Sequence, residues 1–144
     1  MRLILLAAAL ALLASPASAQ KPDEDNPTTD IYSLFGLERP DPERVREAVE
    51  AAAAHPLGSM ENPVRVGGPP GQRAYIARLR CADGRRPRVG TRSSAGIGPF
   101  GTIVDIYPLN CRRAAPGEVA LVLDMYHPEH REDRPPPGFT IEPR

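Results

Sequence analysis

Apolar and polar positions alternate from Arg73 to Cys81, with Tyr75, Ala77, Leu79 and Cys81 in one phase and Ala74, Ile76, Arg78 and Arg80 in the other. This period of two predicts a half-buried strand. Gly101–Cys111 repeats the design: Ile103, Tyr107, Leu109 and Cys111 share one phase, Thr102, Val104 and Ile106 the other. The two segments are expected to be partners, and each ends in one of the chain's two cysteines. A third strand is predicted over Gly117–Tyr126, whose nearly unbroken apolar run from Val119 to Leu123 calls for a central place covered on both faces. Pro63–Val66 predicts a short strand, and Arg85–Arg92 a short basic one after the Asp83-Gly84 turn.

A helical period occurs after Pro40. Asp41 is a favoured N-cap, Pro42 suits the first turn, and Val45, Ala48, Val49 and Ala52 share one face until Pro56 forbids continuation past Ala54. Glu43, Arg46, Glu47 and Glu50 occupy the opposite face, and the small apolar stripe predicts close approach to a sheet. Gly67-Gly68-Pro69-Pro70-Gly71 reads as a turn. Ile31–Leu37 reads as a short apolar segment docking on the core, with Gly36 ending a helical turn. Phe139 and Ile141 are expected to fasten a proline-rich tail to the core. These elements predict an α+β fold: one principal helix packed on a mainly antiparallel sheet of four to five strands.

The start of the chain changes the picture. Arg2, the apolar run Leu3–Ala14 and the small-residue site Ala17-Ser18-Ala19 predict a secretory signal peptide over residues 1–19. Residues 20–30 read as a disordered acidic leader and residues 31–144 as a single small domain. The apolar run is shorter than the roughly 20 residues that span a bilayer, so no stable membrane insertion is expected after signal removal. The expected location is periplasmic or secreted. In such an oxidising compartment Cys81 and Cys111 are predicted to form a disulfide. The core has no tryptophan to draw on and only seven Phe and Tyr residues, which makes such a bridge matter to it.

Charge is segregated. Residues 20–61 carry ten acids against four bases, residues 62–113 ten arginines against Asp83 and Asp105, and residues 114–144 six acids against three arginines. Arg78, Arg80, Arg85, Arg86, Arg88 and Arg92 are therefore candidates for a face that binds an anionic envelope or extracellular partner, because guanidinium forks suit phosphate and carboxylate. The competing reading is neutralisation within the molecule by the acidic helix. Nucleic acid is not expected, given export and the lack of aromatic residues interleaved with the basic run.

Other chemistry has fewer residues behind it. Asp124, His127 and His130 are spaced so that a carboxylate and imidazoles can meet, as an acid/base pair or with His127 and His130 as metal ligands, although Pro128 disfavours a regular helix through them. Asp105 lies mid-strand and needs a partner such as Arg78 or Arg80, or else serves with Asp124 as a general acid and base. Gly96-Ile97-Gly98-Pro99-Phe100-Gly101 matches G-x-G-x-x-G, but the β-branched run after it rules out the helix that a dinucleotide site requires. No cofactor is implied. The expectation is a small non-enzymatic binding or interaction domain, inhibitor-like or anion-binding; the alternative is a small hydrolase or metal-dependent enzyme using Asp105, Asp124 and His127.

Overall fold

The computed structural model describes residues 39–144 together with Gly36. The expected signal peptide, the acidic leader and, apart from Gly36, the Ile31–Leu37 segment lie outside the described residues. Helix α1 spans Pro42–Ala52, with Asp41 as its N-cap accepting from the Glu43 amide at 3.0 Å. The capping chemistry therefore placed its start correctly. Only Ala52 of this helix is buried, so α1 is not the element that covers the sheet.

That role falls to a second helix, α2, over Gly68–Arg78. It replaces most of the strand expected at Arg73–Cys81 and absorbs the turn expected at Gly67–Gly71. Prolines in the first turn of a helix cost no hydrogen bond and fix φ near the helical value, so Pro69 and Pro70 start α2 instead of ending a strand. Gln72, Tyr75 and Ile76 are the buried residues of α2, and Leu79 follows one turn later, also buried. This is an i, i+3, i+4, i+7 stripe.

The main sheet has five strands: β1 (Val64–Arg65), β3 (Arg88–Val89), β4 (Ser93–Ile97), β5 (Ile103–Asn110) and β6 (Glu118–Asp124). Strand β6 is central, as its apolar run predicts, with β1 parallel on one side and β5 antiparallel on the other. Strands β3 and β4 both pair antiparallel with the far edge of β5, so the basic strand expected at Arg85–Arg92 shrinks to two residues. Strand β2 (Leu79–Arg80) pairs antiparallel with β7 (Thr140–Ile141), and Phe139 is buried beside it, fastening the tail as expected. The G-x-G-x-x-G segment is the turn between β4 and β5. A Cβ on Gly98 would meet Val104 Cγ1 at 2.4 Å, and Gly96 and Gly101 have φ of +83° and +80°.

Directly opposed residues of an antiparallel pair share a face. Asp105 opposes Leu123, Tyr107 opposes Leu121 and Leu109 opposes Val119; this face meets α2 through Tyr75 and Ile76. Val104 opposes Asp124 and Ile106 opposes Val122 on the reverse face. Cys81 and Cys111 form a disulfide with Cα atoms 5.7 Å apart, joining the end of β2 to the end of β5. The bridge is the expected one, but it ties a helix-to-strand exit to the sheet and not two paired strands. The result is the α+β architecture with a mainly antiparallel sheet and one disulfide, carrying one helix more than expected.

Candidate functional site

The six arginines singled out by the sequence divide into two groups. Arg78 donates to Asp133 Oδ1 at 2.8 Å and to the Glu142 carbonyl at 2.7 Å, and Arg80 holds both carboxylate oxygens of Glu142 in a bidentate fork. Arg92 donates to Asp105 Oδ2 at 3.2 Å. These three are engaged within the chain, by acids of the tail and of β5 and not by α1. Among the described residues, the side chains of Arg85, Arg86 and Arg88 form no ion pair or hydrogen bond and are exposed.

Two tight turns place Arg85 and Arg86 next to a second pair that the sequence reading left out. After Cys81, the Gly84 amide donates to the Cys81 carbonyl at 2.8 Å and the Arg85 amide to Asp83 Oδ1 at 3.0 Å. After Cys111, the Ala114 amide donates to the Cys111 carbonyl at 3.1 Å, and the Arg112 amide to Asn110 Oδ1 at 2.6 Å. Arg112 takes φ of +58°, a left-handed conformation that L side chains seldom adopt, and the turn presents Arg112 and Arg113 in succession. The two turns are joined by the disulfide and by the Ala82 amide donating to the Ala115 carbonyl at 2.9 Å. Between them lies a cleft of about 460 Å³ lined by Arg85, Arg86, Arg112 and Arg113 together with Asp83 and Asn110. Arg112 and Arg113 also lack an ion pair or side-chain hydrogen bond among the described residues. Arg88 lies apart, bordering a shallow depression over Gly90, Pro108 and Ala120.

Arg112 and Arg113 were findable. Arg112 and Arg113 directly follow Cys111, while the turn after Cys81 returns Arg85 so that its carbonyl accepts from the Cys81 amide at 2.8 Å; once Cys81 is bonded to Cys111, the bridge and that turn together bring the two Arg-Arg dipeptides near each other.

The candidate acids and histidines do not gather into one constellation. Asp105 and Asp124 project from opposite faces of the sheet. Asp105 accepts from Gln72 Nε2 at 2.7 Å and from Arg92, so its partners are neither Arg78 nor Arg80. Asp124 is fully buried; it accepts from Thr102 Oγ1 in a short contact and from the Tyr126 amide at 3.0 Å. His127 Nε2 lies 3.3 Å from Asp124 Oδ2 but off the direction of a hydrogen bond, and its ring meets Phe100 edge-on at 5.4 Å. His130 turns instead to Glu132, at 3.4 Å. Burial alone would raise the Glu132 pKa, but hydrogen bonds from the Arg134 side chain and amide, its charge, and the His130 contact outweigh this and bring it to about 2. Burial and the charge of Arg65 hold the His130 pKa below its ordinary value. Among the described residues, no three His, Cys, Asp or Glu side chains converge as a metal-ligand set.

Comparison with protein-family models, curated proteins and solved structures finds no match to this chain. A groove of about 740 Å³ between α1 and Phe100 is lined by charges of both signs, Arg44 and Glu47 among them, and lacks the four-to-one excess of arginine over carboxylate in the arginine cleft. No helix among the described residues is long and apolar enough to cross a membrane.

Proposed function

We propose that this chain is a small exported, non-enzymatic binding domain that engages an anionic partner of the cell envelope or outside the cell through its unpaired arginines. The observation that carries this reading is the sorting of the basic segment: Arg78, Arg80 and Arg92 hold the tail and the sheet, while Arg85, Arg86 and Arg88 remain exposed and form no ion pair among the described residues. Charges that serve only the fold would be expected to find partners within it, whereas unpaired, exposed guanidiniums supply a field for an external anion. The disulfide and the signal-like residues 1–19 support export. The alternative of a hydrolase using Asp105, Asp124 and His127 gains no support from acids on opposite faces of a sheet.

Retention of the purified chain on a sulfonated cation-exchange resin at neutral pH tests the reading. The Arg85→Ala/Arg86→Ala/Arg88→Ala variant should elute at clearly lower salt, because the parent chain is nearly neutral overall and only a local cluster can hold it. Elution of the two proteins at the same salt would discard the binding face.

A further inference from the structure

The cleft between the two turns is more selective than a basic patch. This inference rests on the anionic-partner reading and names its ligand. Four arginines line the cleft from two sides, Arg85 and Arg86 from the turn after Cys81, Arg112 and Arg113 from the turn after Cys111, with Asp83 as the one carboxylate of the lining. A planar carboxylate offers two oxygens in one plane and satisfies one fork, or two at its edges. A tetrahedral oxyanion presents oxygens in several directions and is matched by donors on opposing walls. The walls are held in place without the ligand: the covalent bridge and the Ala82–Ala115 hydrogen bond fix one turn against the other, and Asn110 holds Arg112 in its left-handed conformation. Because the turns are held before binding, only the arginine side chains remain to be ordered when the ligand arrives.

The lining also says what the rest of the ligand is not. No aromatic side chain borders the cleft, and its apolar lining is confined to the two half-cystines and Ala114, so neither a base nor a lipid chain has a surface to rest on. We propose that the cleft is a binding site for a phosphate group of charge −2 or more, a phosphate monoester or diphosphate, recognised by the four arginines and not by whatever carries it. Such a group occurs on soluble phosphorylated molecules and on lipid headgroups, and the chemistry at the cleft is shared.

Titration calorimetry of the disulfide-bonded chain with pyrophosphate at low salt, and co-sedimentation with vesicles of phosphatidic acid in phosphatidylcholine, test the assignment. Pyrophosphate should bind saturably. Both Arg112→Ala/Arg113→Ala and Arg85→Ala/Arg86→Ala should weaken it by about tenfold or more, as expected for losing charge-assisted bonds, whereas Arg44→Ala, on α1 and outside the cleft, should leave it unchanged. Citrate, which carries comparable charge on planar groups, should bind about tenfold more weakly. Binding of free pyrophosphate without vesicle binding supports a soluble source, and arginine-dependent vesicle binding supports a headgroup. Absence of both, equal affinity for citrate, or an Arg112→Ala/Arg113→Ala variant that binds as the parent does overturns the proposal. If resin retention still depends on Arg85, Arg86 and Arg88 while neither pyrophosphate nor the vesicles bind, the phosphate assignment fails and the broader anionic-partner reading stands.

Discussion

Gln72 of α2 donates through Nε2 to Asp105 Oδ2 of β5 at 2.7 Å, and both side chains are buried. The amide has a second task, since its Oε1 accepts from the Tyr107 hydroxyl at 2.8 Å. One glutamine thus satisfies a carboxylate and a phenol on the same sheet face, and Arg92 completes the carboxylate from the rim. The contact fixes which way round α2 lies on the sheet, because a hydrogen-bonded polar pair fits in only one register while apolar contacts tolerate sliding. Gln72→Leu leaves the buried Asp105 short of a donor and is expected to cost about 2 kcal/mol in urea denaturation. Asp105→Ala should cost a similar amount by stranding the Gln72 amide, and the double variant should cost less than the two singles together. Strict additivity would remove the coupling claimed for this pair.

The cysteines supply a second prediction. The bridge closes a loop of sequence separation 30, for which chain entropy gives roughly 3.5 kcal/mol of stabilisation. Cys81→Ser/Cys111→Ser should therefore lower the unfolding free energy by about that amount. It should also weaken pyrophosphate binding at temperatures where the chain stays folded, since Ala82–Ala115 would be the one remaining tie between the turns. Unchanged stability in the double-serine protein would contradict the entropic account of the staple.

Where the sequence was legible, one local signal settled each element. Asp41 with Pro42 marked the start of α1; the unbroken run Val119–Leu123 marked β6 as central; Asp83-Gly84 marked the turn that carries Arg85 and Arg86. The miss at α2 has an equally local cause. Tyr75, Leu79 and Cys81 satisfy a period of two, while the helical stripe that wins begins at Gln72, a polar residue that no hydrophobic pattern counts. Its burial depends on Asp105 and Tyr107, more than 30 residues away, so tertiary hydrogen bonding decided what periodicity left ambiguous. The arginine cleft was half legible for a related reason. Arg85 and Arg86 stood out in a basic run, whereas Arg112 and Arg113 acquire meaning only through the disulfide that folds them back.

The glycine-rich hairpin between β4 and β5 separates two reasons for glycine. Gly98 lacks room: an added Cβ would sit 2.4 Å from Val104 Cγ1, and Val104 is fully buried. Gly98→Ala should destabilise by about 2 kcal/mol through overpacking. Gly96 has open space around it but φ of +83°, so Gly96→Ala should cost about 1 kcal/mol from backbone strain alone. Truncating the neighbour separates the two causes. Val104→Ala should rescue part of the Gly98→Ala loss and none of the Gly96→Ala loss, and equal rescue of both would refute the steric assignment.

Acid should unfold this protein through Glu132. Its folded pKa of about 2 lies below the ordinary 4.5, held there against burial by the Arg134 guanidinium and amide and by His130. A depressed carboxyl pKa means that the unfolded chain binds protons more readily. The stabilisation is then complete above about pH 4.5 and is lost as pH falls from there toward 2. His130 acts in the same direction at higher pH. Burial and Arg65 keep its imidazole pKa below 6.5, so the unfolded chain again takes up the proton first, and stability begins to fall as pH drops below that value. Arg134 is largely exposed, which weakens its hold on Glu132 through solvent screening, and the Glu132 contribution is about 2 kcal/mol. Urea midpoints followed from neutral pH to about pH 3 should fall more steeply for the parent than for Glu132→Gln, which starts lower and has no carboxylate there to titrate. Parallel profiles for the two proteins would show that acid lability arises elsewhere in the chain.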